Sequence, residues 1–274
     1  MLKCAITGAN GVLGRRLREN LPYKFYPFKN KIENYNKISK WINSQKFDLV
    51  LHLAALVPTN TVKKNLKRAK SVNINGTKNI IKAVLNLKQP PKWFFYASTS
   101  HVYPIKNINK KLSEKHNIKP SSKYGKTKRE AEKIIEKNFN NKNINFCIGR
   151  IFSFTDKRQK IPFVIPSLIS KIKKSKKKQI NLNNINHYRD FISTKDISSA
   201  IKLLFNNKRK GIYNIGSGNL INIKIIAKIL AKKYKKKINF LNINKPTYLI
   251  SDSRKLKKLG WKSRRFKNKL SYFY

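Results

Sequence analysis

Tyr124 and Lys128 stand four positions apart in a segment whose pattern predicts a helix. Positions i and i+4 of a helix share a face, so the Lys128 ammonium would lie beside the Tyr124 phenol. A tyrosine ordinarily titrates near pH 10, and a neighbouring cation favours its phenolate. The pair is therefore a candidate for acid–base catalysis near neutral pH. Because the chain is rich in both residue types, this spacing alone also arises by chance.

Three hydroxyl side chains, Ser98, Thr99 and Ser100, stand at the end of an apolar run that predicts a strand. A hydroxyl at a strand end can orient a substrate oxygen toward Tyr124. The combination of these hydroxyls with the Tyr124 segment is less expected by chance than either pattern alone.

A glycine-rich turn occupies residues 7–14, which read TGANGVLG, between a predicted strand and a predicted helix. Gly8, Gly11 and Gly14 allow a tight turn and a close backbone approach to a pyrophosphate. The helix that follows presents free N–H groups to the phosphates. This motif in this context predicts a dinucleotide site.

The residues after the second predicted strand bear on which dinucleotide binds. NAD sites usually carry an acidic residue there for the ribose 2′-hydroxyl, but the nearest acid is Glu33. Arg15, Arg16 and Lys29 are available for a 2′-phosphate instead. This pattern favours NADP over NAD, although the three cations could equally be solvated charges of a lysine-rich chain.

Apolar runs and helical patterns alternate through the first part of the chain. The predicted strands and helices cover residues 2–7, 12–21, 24–28, 37–45, 47–53, 66–87, 93–98, 123–138 and 145–151. Alternating strands and helices imply βαβ crossovers, so we expect an α/β fold of the Rossmann type with a doubly wound parallel sheet.

The alternation weakens after residue 153, where strands at 188–191 and 211–215 and a helix at 221–234 are predicted. We expect residues 1–153 to form a dinucleotide-binding domain, with 188–217 partly returning to its sheet. Residues 154–274 would form mainly a smaller, C-terminal, substrate-binding α/β cap.

The charge balance is extreme: 64 Lys and Arg face 11 Asp and Glu in 274 residues, a formal net charge of +53. Such a charge attracts polyanions. The lysines are spread along the whole chain, however, and the densest run, residues 171–178, reads as a solvated helix end. A nucleic-acid partner is therefore not favoured, although the positive charge does not exclude one.

Other composition features limit the class of protein. The two cysteines and four scattered histidines form neither a disulfide framework nor a metal-binding spacing. No apolar run approaches the roughly 18 residues of a membrane span. The first residues lead directly into the glycine turn, without the pattern of a signal peptide. We expect a cytoplasmic protein without a metal.

The sequence resembles the extended short-chain dehydrogenases/reductases that act as nucleotide-sugar epimerases, dehydratases and reductases. The resemblance runs nearly end to end and rests on residues 7–14, 52–55, 73–77, 98–103, 124–128, 188–192, 196–197, 213–218, 255–256 and 259–261.

This resemblance implies a role for each candidate residue. Tyr124 would be the acid/base, with Lys128 lowering its pKa and holding the nicotinamide ribose and Thr99 bonding the same sugar oxygen. Arg189 would meet the diphosphate of the substrate, unless it forms a structural ion pair. The resemblance also implies a homodimer through paired helices. The implied cofactor-binding residues are Gly8, Asn10, Gly11, Val12, Leu13, Gly14, Leu53, Ala54, Ala55, Asn75, Tyr124 and Lys128.

Departures from the family pattern narrow the reaction. Ser100 and His101 occupy the places of the Asp-Glu pair of the 4,6-dehydratases, so dehydration is not expected. His101 is a candidate substrate contact instead. Ser153 replaces an asparagine that meets the substrate in the family. We expect a 4-keto-6-deoxy-sugar reductase acting on a nucleotide-linked sugar. The alternatives are a 4-epimerase with tightly bound NAD and a catalytically idle nucleotide- or RNA-binding protein.

Overall fold

A computed structural model describes residues 1–105, 108–142, 144–242 and 244–264. Residues 265–274, the end of the predicted cap, lie outside the described residues. The strands are β1 (Lys3–Thr7), β2 (Lys24–Pro27), β3 (Leu49–His52), β4 (Trp93–Thr99), β5 (Phe146–Ile151), β6 (Ser153–Thr155), β7 (Gln179–Asn183), β8 (His187–Arg189), β9 (Phe191–Ser193), β10 (Gly211–Ile215), β11 (Ile221–Asn222), β12 (Lys237–Leu241) and β13 (Thr247–Leu249).

The helices alternate with these strands. They are α1 (Val12–Asn20), α2 (Tyr35–Asn43), α3 (Thr59–Lys64), α4 (Leu66–Lys70), α5 (Gly76–Leu85), α6 (Lys123–Asn140), α7 (Val164–Lys174), α8 (Thr194–Asn206), α9 (Ile223–Lys233) and α10 (Arg254–Lys257). A π-helical turn (Ser71–Asn75) joins α4 to α5, and a 3₁₀ turn (Ser100–Val102) follows β4.

Six parallel strands form the central sheet, in the order β10-β5-β4-β3-β1-β2. Successive side chains of a strand point to opposite faces, and both faces here are apolar. Cys4 packs with Leu17 of α1 and Ile201 of α8, whereas Ala5 packs with Ile38 of α2 and Ile80 of α5. Helices therefore cover both faces, which confirms the predicted Rossmann-type, doubly wound sheet.

The strand order reverses between β3 and β1, so the loops after these two strands diverge to opposite faces of the sheet. In doubly wound sheets the ligand cleft lies at the carboxyl ends of the strands beside such a reversal. The glycine turn follows β1, and residues 53–55 follow β3, which places both at this cleft.

The second half of the chain forms smaller sheets, β11-β8-β13 and β12-β7, around a separate apolar core with α7 and α9. The predicted strand 188–191 is in fact two strands, β8 and β9, divided at Asp190. The buried Asp190 carboxylate accepts hydrogen bonds from the backbone and side chains of Ser217 and Ser251 and from the Gly218 N–H. The strand is interrupted where the Asp190 carboxylate points into the protein.

The strand β10 lies at the edge of the central sheet, next to β5, although it follows the cap strands in sequence. The helix α8, which precedes it, packs on the same face as α1. No helix within the described ranges is long and apolar enough to span a membrane.

Candidate active site

The side chains of Thr99 and Tyr124 meet at the carboxyl edge of the central sheet. Thr99 is the last residue of β4, and Tyr124 lies in the first turn of α6. The Ser122 side chain caps this helix by accepting a hydrogen bond from the Gly125 N–H at 3.0 Å. Ser122 thus fixes where α6 begins, and this places the Tyr124 side chain beside that of Thr99.

Gly125 allows α6 to approach the 3₁₀ turn closely. A methyl group at Gly125 would overlap the carbonyl oxygen of His101. The His101 ring lies edge-to-face with the Tyr124 ring, 5.9 Å between centroids. The sequence candidates Thr99, His101 and Tyr124 therefore form one cluster.

Tyr124 is a neutral phenol in this environment, because burial raises its pKa to about 12, an effect that the neighbouring Thr99 side chain only partly offsets. Lys128 is not among the groups that set the pKa of Tyr124 here, so its lowering of that pKa stays a prediction. Burial also lowers the pKa of Lys128, to about 7, and the Glu132 charge only partly restores it.

Lys128 is only 2% exposed, and its Nζ lies 4.0 Å from the centroid of the Tyr96 ring. Within the described residues its ammonium makes no hydrogen bond. Its N–H groups are therefore available to hydroxyls of a bound molecule, because a buried donor without a partner is costly.

Glu132 lies one helical turn after Lys128 and is completely buried. Its carboxylate accepts hydrogen bonds from Arg150 at 2.9 and 3.0 Å, from Arg129 at 2.8 Å and from Ser98. These bonds tie α6 to the ends of β4 and β5. The sequence analysis did not identify Glu132, although its position four residues after Lys128 was a usable signal.

The glycine turn packs against the loop after β3. Gly8 has φ +70°, and a methyl group there would stand 2.7 Å from the Ala54 nitrogen. The Thr7 Oγ1 accepts hydrogen bonds from the N–H groups of Leu53 and Ala54, both at 3.2 Å. These contacts hold a backbone cradle open beside the first turn of α1. Val12 and Leu13 on α1 and residues 53–55 are half-buried along its sides.

Arg189 is a half-buried cation at the end of β8. Its guanidinium donates to the carbonyl oxygens of Tyr188 and Thr247, at 2.8 and 2.9 Å, and to the Thr247 hydroxyl. Among the described residues no carboxylate pairs with it, so the ion-pair interpretation fails. Burial lowers the pKa of Arg189 to about 10. Burial and the Arg189 charge together lower the pKa of His101 to about 4, so His101 is neutral at pH 7.

The comparisons with known proteins agree with this geometry. Residues 13–270 match the family model described as GDP-mannose 4,6 dehydratase. The chain belongs to this family. The predicted family resemblance is thus confirmed, and so is the prediction that the protein is an NAD(P)-dependent enzyme of this type.

Two curated relatives illustrate the match. GDP-6-deoxy-D-talose 4-dehydrogenase of Aggregatibacter actinomycetemcomitans is 31% identical over 73% of this chain and 69% of its own length. The dTDP-D-glucose 4,6-dehydratase of Dictyostelium discoideum is 28% identical over 80% of this chain but only 52% of its own length. The chain thus spans about half the length of that dehydratase.

A solved structure shares the fold: RMD from Pseudomonas aeruginosa, complexed with NADPH, has a TM-score of 0.88. It is 21% identical, and the match covers 98% of this chain and 95% of that structure.

The role of Asn75, which the family resemblance implies, stays a prediction. Asn75 is exposed on the π-helical turn, whereas Asn73 is buried. The Asn73 side chain bonds both backbone groups of Leu56, at 2.7 and 3.3 Å, and the Thr127 hydroxyl at 3.0 Å. Asn73 therefore connects the loop after β3 to α6. The π turn shifts the helical register, which spacing alone does not reveal.

The three cations considered for a 2′-phosphate differ in availability. Arg16 forms ion pairs with Asp156 at 2.6 Å and Glu19 at 3.0 Å, so its guanidinium is already occupied. Arg15 is exposed and donates to the carbonyl oxygen of Asn10 at 3.0 Å, at the rim of the glycine turn. Lys29 is exposed after β2.

Ser153 opens β6 and is half-buried, with its backbone paired to Phe191 of β9. No hydrogen bond of its side chain is found within the described residues. Those residues also hold no cluster of three or more His, Cys, Asp or Glu side chains suited to a metal ion.

Proposed function

We propose that this protein reduces the 4-keto group of a nucleotide-linked 6-deoxy sugar, with Tyr124 as the proton donor. The observation that carries the proposal is the clustering of Thr99, His101 and Tyr124 at the sheet edge that also bears the glycine turn, one helical turn from the buried Lys128. A catalytically idle scaffold has no need to keep these groups together.

The residues around the cleft fit a nicotinamide dinucleotide. Any side chain at position 8 would place its Cβ against the backbone of Ala54, so the glycine is needed to form the cradle. The N–H groups at the start of α1 suit a pyrophosphate. Lys128 offers buried, unused donors that suit the ribose hydroxyls. When bound, the dinucleotide supplies the hydride. We favour NADPH because Arg15 and Lys29 are available for a 2′-phosphate, and because no carboxylate follows β2 directly.

Reduction needs a proton donor for the oxygen of the carbonyl group. A tyrosine whose pKa is raised to about 12 holds its proton at pH 7 and is in the form that donates it. Thr99 would orient the Tyr124 hydroxyl, and the neutral His101 borders the same space. Arg189, which has no carboxylate partner in the described part of the chain, would hold the substrate diphosphate with a bidentate guanidinium.

The comparisons support the 4-position and the reducing direction. The talose relative is named a 4-dehydrogenase, and a dehydrogenase and a reductase describe one hydride transfer in opposite directions. The RMD structure holds NADPH. Ser100 and His101, instead of an acidic pair, separate this chain from the dehydratase pattern. Substrate binding by Ser153 and the cytoplasmic location stay predictions.

A homodimer is part of the proposal. The outer faces of α5 and α6 form a groove with the partly buried Leu85 and Ile134 at its floor. Pairing of these faces in two copies would cover both residues. The lysines that line the groove, Lys78, Lys82, Lys133 and Lys137, would make the pairing stronger at high salt.

The experiment compares Tyr124→Phe with Tyr35→Phe, a tyrosine of α2 whose hydroxyl also forms a hydrogen bond. NADPH oxidation is followed with GDP- and dTDP-linked 4-keto-6-deoxy sugars. Tyr124→Phe should lose at least about 100-fold in kcat, the low end of an acid/base contribution, and still bind NADPH. Tyr35→Phe should retain activity. Full turnover by Tyr124→Phe would refute the assignment, and stoichiometric NAD released on denaturing the protein would favour the epimerase.

A further inference from the structure

Two lysine-rich segments that lie far apart in sequence meet at one end of the cap. Residues 173–178 and residues 232–237 each contain five lysines. The first segment joins the end of α7 to β7, and the second joins the end of α9 to β12. The strands β7 and β12 are parallel partners, so both segments enter the two-stranded sheet from the same end.

Direct bonds hold the two segments side by side. The Lys237 N–H donates to the Lys178 carbonyl oxygen at 2.8 Å, and the Lys236 ammonium donates to the Ser175 carbonyl oxygen at 2.9 Å. Adjacent strands are about 4.8 Å apart, within the Debye length of about 8 Å at physiological salt. The lysines therefore act as one charged surface. We define the lysine patch as Lys173, Lys174, Lys176, Lys177, Lys178, Lys232, Lys235, Lys236 and Lys237.

Nothing in the described structure neutralises this patch. None of the nine lysines forms an ion pair with a carboxylate there. The sequence explains this, because residues 157–189 and 197–251 contain no Asp or Glu. The carboxyl ends of α7 and α9 contribute about half a negative charge each, far less than nine positive charges.

The patch has the character of a phosphate-backbone site. All its lysines except the half-buried Lys236 are exposed. The only aromatic residue between them, Tyr234, packs against the cap core and offers no face for stacking a base. The exposed large apolar side chains of the described chain lie outside both segments, so an insertion into lipid is not supported.

We propose that the lysine patch binds nucleic acid through its phosphates, without sequence preference. This site is separate from the active-site residues and does not depend on the proposed reaction. The overall charge of the chain is the competing explanation, and it predicts that lysines anywhere on the surface contribute equally.

The test uses the full chain and a fluorescein-labelled oligouridylate of about 20 nucleotides, a length that exceeds the usual site of one module. The patch variant carries Lys176→Gln, Lys177→Gln, Lys235→Gln and Lys237→Gln. The matched control carries Lys40→Gln, Lys46→Gln, Lys88→Gln and Lys202→Gln, which are also exposed and remove the same charge. Fluorescence anisotropy measures the Kd of the oligonucleotide at several salt concentrations between about 50 and 200 mM.

Each phosphate contact contributes about 0.7 to the slope of log Kd against log salt for a single strand. If two to four of the substituted lysines touch phosphates, the patch variant should bind about 25- to 600-fold more weakly at 0.1 M salt. Its slope should fall by about 1.4 to 2.8, and the control should change little. Replacing the same four patch lysines with arginine should preserve binding.

Three results would overturn the proposal. The first is an equal loss in the patch variant and the control, which would assign binding to net charge. The second is no binding by the unaltered protein at the lowest salt. The third is binding of phosphatidylserine vesicles without binding of the oligonucleotide. Circular dichroism and NADPH uptake verify that each variant is folded.

Discussion

Replacing Glu132 with glutamine should lower the pKa of Lys128 and move the pH dependence of NADPH binding. Glu132 is the charge that raises the pKa of Lys128 against the larger effect of burial. Glutamine preserves the shape of the side chain, and its remaining oxygen can still accept from Ser98 and the Arg150 Nε, although its amide N–H groups would face the other donors of Arg129 and Arg150. The change therefore removes mainly a negative charge one helical turn from the lysine.

The size of the effect follows from the helix geometry. Side chains at i and i+4 are about 6 Å apart, and two unit charges at that distance interact by about 2.8 kcal/mol at an effective dielectric of 20. That corresponds to about 2 pKa units. Arg129 and Arg150 neutralise part of the Glu132 charge, so we expect a shift of about 1 unit.

The assay measures the Kd of NADPH from its fluorescence. The measurements run from about pH 5.5 to 9, a range that brackets the lowered pKa of Lys128. If the charged form of Lys128 holds the dinucleotide, as proposed, binding by the unaltered protein should weaken as pH rises through about 7. In Glu132→Gln the same weakening should begin about one unit lower.

The matched control is Glu136→Gln. Glu136 lies on the same helix and also bonds Arg129, at 3.0 Å, but it is not among the groups that set the pKa of Lys128. Its profile should coincide with that of the unaltered protein. An unshifted profile in a folded Glu132→Gln protein would refute the role of Glu132, and so would an equal shift in both variants.

Three further changes test the packing of the site. Gly125→Ala should lower kcat at least tenfold and cost about 1–3 kcal/mol of stability, because the methyl group displaces α6 from the His101 carbonyl; kinetics and Tm measure both. Asn73→Ala should cost about 1–3 kcal/mol and raise the KM for NADPH, whereas Asn75→Ala should change neither. Arg189→Gln should raise the KM for the sugar nucleotide about 10- to 150-fold with little change in kcat, as expected for a lost charged hydrogen bond; an unchanged KM would remove Arg189 from the substrate site.

The sequence predicted the fold because its signals are local. Buried parallel strands are continuous apolar runs, and the predicted ends of residues 93–98 and 145–151 differ from those of β4 and β5 by one residue. The glycine turn is likewise a short motif with a defined context. Local patterns of this kind depend only on neighbouring residues in the chain, so they can be recognised without the tertiary structure.

The errors concern side chains whose partners are distant in sequence. Arg16 was considered for the cofactor, but it pairs with Asp156, 140 positions away. The strand at 188–191 is divided because Asp190 bonds Ser217 and Ser251, 27 and 61 positions away. The pKa of Tyr124 depends on burial, which spacing does not report. No pattern within a helix or strand contains this information.

The few carboxylates of this highly charged chain pair with a restricted set of cations. Among the described ion pairs, every carboxylate partner is an arginine except for the Lys92–Asp48 pair. The scarce carboxylates thus neutralise guanidinium groups such as the buried Arg150, whose five donors need several acceptors. Within the described residues neither Lys128 nor Arg189 forms an ion pair with a carboxylate, and burial lowers the pKa of both. In the proposed function, a dinucleotide would provide hydroxyls for Lys128, and a nucleotide diphosphate would provide negative charge for Arg189.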